Sequence, residues 1–137
     1  MTEIKTLLPQ REPFLFVDAL LSADRTQIVG IKRYEQGFPF CRDISPGRAV
    51  VPETILVESL VQCGGAGLAS MGLTGQSLWG LATLEKVRWQ AVVEPPATVT
   101  MHISTLKISA KILRQSGTGF CDGNPVLTAT WCCLKLR

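Results

Sequence analysis

The stretch TILVESLVQCGGAGLASMG, from about Thr54 to about Gly72, is too long for a strand and reads as one helix. Apolar residues lie almost all round it (Ile55, Leu56, Val57, Leu60, Val61, Ala66, Leu68, Ala69 and Met71), and a helix with no polar face has to be enclosed by other structure. Whatever else this chain forms must wrap that segment.

The flanking sequence offers strands to do so. After a short amphipathic start, PFLFVDALLSAD and QIVGIKRYE read as an opening pair of β-rich segments separated by a turn at Ser-Ala-Asp-Arg. Beyond the helix, SLWGLATLEKVRWQAVV, TVTMHISTLKISAKIL, QSGTGFCDG and PVLTATWCCLKLR carry β-branched and aromatic residues, broken by Pro95-Pro96 and by Asp122-Gly123. In TVTMHIST, Val99, Met101 and Ile103 alternate with Thr100, His102 and Ser104, the pattern of a sheet with one covered and one wetter face. The expected fold class is α+β: one long central helix wrapped by a curved antiparallel sheet. With 137 residues and no repeat or linker, a single domain over 1–137 is expected.

Charge narrows the partners. Fourteen Lys and Arg against eleven Asp and Glu give a formal +3, with the bases scattered singly, which does not point to nucleic acid. The opening MTEIKTLLPQ has no signal-peptide core and no later apolar run is long enough to span a bilayer, so a soluble cytoplasmic protein without membrane contact is expected. Cys41, Cys63, Cys121, Cys132 and Cys133 show no C-x-x-C spacing and read as reduced, mostly buried thiols; with a single histidine they make no metal site, and no cofactor is indicated.

Two features make the helix a candidate site. Gly64, Gly65 and Gly67 weaken it by about 1 kcal/mol each relative to Ala, which calls for close packing against the sheet or a symmetry mate, for a groove admitting a long ligand, or for both. Glu58 is a carboxylate among apolar residues, and burial without a partner would cost several kcal/mol, so it should line a pocket. Gln62, one turn on, can orient Glu58 or a bound polar group; a structural hydrogen-bonded pair at an oligomer seam is the other explanation. At the helix start, by Glu53 and Thr54, free N–H groups can polarise a carbonyl oxygen.

LLPQREPFLFVD (Leu7 to Asp18) and SPGRAVVPETILVESLVQ (Ser45 to Gln62) resemble the 3-hydroxyacyl-acyl-carrier-protein dehydratases of the FabZ type, whose usual forms are L-P-H-R-x-P-F-L-x-V-D and G-H-F-P-G-x-P-V-M-P-G-V-L-x-x-E-x-x-A-Q. The likeness continues through KVRWQAVVEPPATVTMHISTLK and DGNPVLTATWCCLKL. It implies the hotdog fold, dimers whose sheets join edge to edge, and active sites shared between two chains. It also implies a turn histidine that takes the C2 proton of a 3-hydroxyacyl thioester and a helix carboxylate that protonates the departing hydroxyl. Glu58 matches the catalytic carboxylate and Gln62 its glutamine, while Ile44, Pro46, Gly47, Pro52, Glu53 and Thr54 fall on the substrate-binding stretch. The histidine does not match: Ile44 holds its position, and M-P-G has become Val51-Pro52-Glu53.

Isoleucine cannot accept a proton. His102 is expected to face away from the helix, Asp43 adjoins the vacant position but would couple to Glu58, and Cys63 lacks a histidine to activate it. Three readings follow: a dehydratase-family protein impaired alone, a hotdog thioesterase in which Glu58 activates water, and an acyl-binding subunit that pairs with a homologous chain bearing the histidine. All concern acyl thioesters of fatty acid or polyketide assembly, with an acyl carrier protein as partner and a homodimer, heterodimer or higher oligomer as assembly. Lys86, Arg88, Lys107 and Arg114 are scattered bases that define no docking site.

Overall fold

The computed structural model describes residues 3–75 and 77–137. A one-turn helix, α1 (Ile4–Leu7), precedes strands β1 (Ala19–Ala23) and β2 (Gln27–Tyr34), a small hairpin β3 (Arg42–Ser45) and β4 (Arg48–Val50), and the long helix α2 (Glu53–Ser70). Four long strands follow: β5 (Trp79–Trp89), β6 (Ala97–Ile108), β7 (Ile112–Cys121) and β8 (Asn124–Lys135). They join β1 and β2 in one six-stranded sheet of order β1-β2-β6-β7-β8-β5, antiparallel throughout. Bulges in β1, β5 and β6 let the sheet curve around α2, the α+β architecture that the sequence implies.

The helix is held as its composition demands. Leu56, Leu60, Cys63, Ala66 and Leu68 are fully buried against Ile28, Met101, Ile103, Leu127 and Trp131 of the sheet. On β6, Val99, Met101 and Ile103 point inward while His102 is exposed on the outer face, its ring edge-on to Phe120 at 5.1 Å between centroids. Two of the helix glycines are packing devices: a Cβ on Gly67 would lie 2.5 Å from Ile28, and one on Gly64 would strike the amide of Gln115. Gly65 differs, with only Leu8 at 3.7 Å.

Boundaries depart from the sequence reading at the start, where PFLFVDALLSAD is strand only from Ala19, and in three further places. The helix stops at Ser70, short of Gly72, because Gly72 takes φ +71 and its N–H and that of Leu73 return to Ala69 and Leu68. TVTMHISTLKISAKIL is not one strand but nearly all of β6, a turn and the start of β7; Ser109 Oγ accepts from the Ile112 N–H at 3.1 Å, so a hydroxyl makes the turn with no Gly, Pro, Asn or Asp present. The hairpin β3–β4 occupies a stretch that reads only as Pro and Gly punctuation, with Gly47 at φ +77 in its turn. The Asp122-Gly123 turn stands as expected, both residues at positive φ as a tight β7–β8 hairpin requires.

Among the cysteines only Cys63 is fully enclosed; the other four are half-buried, and all five are free thiols. Burial pushes the Cys63 thiol up to about 12, which fits a core residue.

Candidate active site

Glu58 lies on the second turn of α2, half-buried, and faces a cavity of about 150 Å³ between that helix, the segment after α1, and strands β5, β7 and β8. Gln62, Val61 and Gly65 continue the same wall along the helix, while Leu113, Gln115 and Cys133 close it from the sheet. The open space beside Gly65 is therefore the cavity itself, so the glycines serve both roles: Gly64 and Gly67 for packing, Gly65 for room.

Gln62 is held rigidly. Its Oε1 accepts the Phe16 N–H at 2.7 Å and its Nε2 donates to the Phe14 carbonyl at 2.9 Å. Ser59 Oγ donates to the Phe16 carbonyl at 2.6 Å, so neighbouring residues of α2 stitch the segment Phe14–Phe16 to the helix. Burial raises the Glu58 carboxyl above its ordinary value, and the Gln62 amide offsets part of that shift. Across the cavity, burial together with Cys132 and Glu58 pushes the Cys133 thiol up to about 11, leaving it protonated and a poor nucleophile. Glu58 and Cys133 are the ionisable side chains among the described residues that line the cavity.

The other sequence candidates lie elsewhere. Ile44, Pro46 and Gly47 sit on the β3–β4 hairpin, all exposed, and none of them lines the Glu58 cavity. Asp43 is exposed on the same strand. Pro52 caps α2 without a side-chain hydrogen bond, and Thr54 is exposed. Glu53 accepts a hydrogen bond from Arg42 Nη2 at 2.7 Å, tying the hairpin to the helix start. Within one chain, then, Glu58 and Gln62 come together and the hairpin residues do not join them. Gln10, Trp79, Gln115 and Cys133 line the cavity without having stood out in the sequence. For Gln10 a signal was available, since it interrupts L-P-H-R.

A helix enclosed by a curved antiparallel sheet, with a carboxyl group in a cavity along the helix, defines a hotdog-fold protein. The dehydratase heterocomplex ApeI:P from Xenorhabdus doucetiae superposes with a TM-score of 0.87 at 15% identity, over 100% of this chain and 93% of that one. A hypothetical thioesterase from Streptococcus pneumoniae, solved with coenzyme A, superposes with a TM-score of 0.66 at 12% identity, over 85% and 84%. At these identities both bear on the fold alone. No protein-family profile matches the chain.

Sequence relatives carry the assignment further. The chain is 32% identical over 134 residues to the 3-hydroxyacyl-[acyl-carrier-protein] dehydratase FabZ of Solibacter usitatus, covering 97% of this chain and 83% of that protein. It is 29% identical over 138 residues to FabZ of Klebsiella pneumoniae, covering 98% and 91%. The chain belongs to the FabZ family of 3-hydroxyacyl-acyl-carrier-protein dehydratases.

Proposed function

We infer that this protein is a dehydratase-family subunit acting on 3-hydroxyacyl thioesters of an acyl carrier protein, in fatty acid or polyketide assembly, and that its site is completed by a base from a homologous, histidine-bearing hotdog chain. One observation carries the reading: Glu58 is a half-buried carboxyl whose pKa burial raises, and Cys133 is the other ionisable side chain among the described residues lining its cavity.

Dehydration needs two groups. A base removes the C2 proton of the thioester, the electron pair forms the C2–C3 double bond, and the C3–O bond breaks as an acid protonates the leaving hydroxyl to water. Glu58, favoured as the neutral acid by burial, suits the second task. Hydrolysis would ask the same carboxyl to ionise against that burial and activate water, which favours the dehydratase over the thioesterase. Among the described residues lining the cavity none suits the first task, and Ile44 stands on the exposed hairpin where the family motif has its histidine.

A shared site requires contact between chains. Among the described residues the edge strand β5 pairs only with β8, and it exposes Leu81, Leu84 and Trp89, which supports joining a second hotdog chain edge to edge. That the similar ApeI:P structure is a dehydratase heterocomplex is consistent with a heterodimer here. No helix among the described residues is long and apolar enough to cross a membrane.

The test is incubation of the purified chain with a 3-hydroxyacyl carrier-protein thioester, with and without the histidine-bearing partner, followed by mass spectrometry. The thioester should survive the chain alone and lose water in the complex. Glu58-dependent water loss by the chain alone would reject the shared-site reading, and released free acid would favour the thioesterase.

A further inference from the structure

On the outer face of the sheet, away from Glu58, strands β6, β7, β8 and β5 form a basin of about 620 Å³. Two rows of side chains floor it. His102, Thr118 and Thr128 pair across β6, β7 and β8 and their row ends at Arg88 of β5; Ser104, Ser116 and Thr130 form the next row, which ends at Glu85. All of these except Glu85 line the basin, and Glu85 is engaged by Arg114, whose Nη2 donates to it at 3.2 Å.

Arg88 reaches this face through a bulge. In a regular strand Glu85 and Arg88, three residues apart, point to opposite sides. Here the ladder shifts between them, with Lys86 at φ +50, so that Arg88 stands opposite Thr128 and Glu85 opposite Thr130, two residues of one face of β8. Lys86, Val87 and Arg88 therefore line the basin in succession. A lysine at positive φ is a strained backbone position, and core packing does not account for it, since the Lys86 and Arg88 side chains are both exposed. What the bulge achieves is to gather Lys86 and Arg88, scattered bases in the sequence, into one basin with His102. The described lining residues include these three bases and no carboxylate. Ion pairs among the described residues draw on Lys32, Arg33, Arg42, Arg48 and Arg114, which leaves the Lys86 and Arg88 donors free.

We propose that this basin is a second ligand site, for a small organic anion bearing more than one acidic oxygen group, phosphate or carboxylate. Lys86 and Arg88 hold one acidic group on the β5 side, His102 donates to another on the β6 side, and the serine and threonine hydroxyls donate to oxygens lying over the floor. Strands β5 and β6 stand three strand spacings apart, about 14 Å, so a ligand with two separated acidic groups engages both flanks and one with a single group engages only one. The volume lies within the range of small-molecule sites, about 300–1,000 Å³. A second copy of this chain fits the face poorly, because a two-fold axis through the basin sets its bases against their own counterparts.

The site lies on the opposite face of the sheet from Glu58, so its test is binding and is independent of dehydration. Fructose 1,6-bisphosphate, citrate and, as the monovalent control, fructose 6-phosphate are titrated calorimetrically into the full-length protein at constant ionic strength, which holds general charge screening fixed. The bisphosphate or citrate should bind with a Kd below about 1 mM and about tenfold more tightly than the monophosphate. Whichever of the two binds more tightly assigns the natural ligand to phosphate or to carboxylate chemistry. Arg88→Gln should weaken that binding by about tenfold and His102→Ala, at the other flank, by about threefold. Lys107→Gln, an exposed base of β6 outside the basin, should leave it unaltered. All three substituted side chains are exposed, so the variants keep the fold. Absence of saturation by either anion at about 10 mM would overturn the proposal. So would an equal loss in Lys107→Gln, which would mean general attraction to a basic surface, or Arg88-dependent binding of an acidic carrier protein with neither small anion bound, which would make the face a protein-docking surface.

Discussion

Helix α2 and the hairpin β3–β4 are the two halves of one family motif, and they have fared differently. On α2 the matching side chains are constrained from several sides: Gln62 is almost fully buried and bonds the backbone of Phe14 and Phe16, and Glu58 faces a cavity beside it. On the hairpin, Ile44 is 39% exposed and β3 carries no buried residue. A residue at Ile44 can change without disturbing the core, whereas a change at Gln62 strands two backbone groups. In the proposed chemistry the acid stands on a helix tied into the core, and the position of the base lies on a solvent-facing hairpin.

The largest effect should come from Glu58→Gln in the two-chain complex, where dehydration measured by mass spectrometry is expected to fall by about a hundredfold or more. The same variant has a stability signature. Burial raises the Glu58 pKa, so the stability tied to its protonated form is present below the ordinary carboxylate range and lost as pH rises through the raised value. Thermal melts should show Glu58→Gln more stable than wild type near neutrality, with the advantage shrinking on acidification.

Gln62→Leu should destabilise by about 2 kcal/mol or more, read by denaturant unfolding, because the Phe16 N–H and Phe14 carbonyl both lose their partner. Next, two helix glycines separate packing from space. Gly67→Ala drives a methyl into Ile28 and should cost about 1–3 kcal/mol, while Gly65→Ala, with open room, should stabilise by up to about 1 kcal/mol and weaken thioester binding by narrowing the cavity. The smallest effect belongs to the hairpin: Arg42→Ala removes an exposed ion pair to Glu53 and should change stability by less than about 1 kcal/mol.

The same contrast explains what could be read from the residues. The all-round apolar helix and the alternation of Val99, Met101 and Ile103 were legible because burial writes itself into residue type at a fixed period. That Glu58 and Gln62 share one face of the helix was legible from their spacing of one turn. The turn at Ser109 was hidden because a single hydroxyl replaces the usual turn residues, and the hairpin because its exposed strands carry no alternation. Gln10 and Trp79 reach the Glu58 cavity from segments far apart in the chain, a juxtaposition that no local pattern encodes.

The central claim, an intact acid lacking only its base, is tested most directly by restoring that base. Ile44→His and the double variant Ile44→His/Glu58→Gln should be assayed beside the wild-type chain for loss of water from a 3-hydroxyacyl carrier-protein thioester. Dehydration is expected from Ile44→His alone, because the hairpin of one copy would then offer a histidine to Glu58 of another. Equal dehydration by the wild-type chain, or activity that survives Glu58→Gln, would contradict the account.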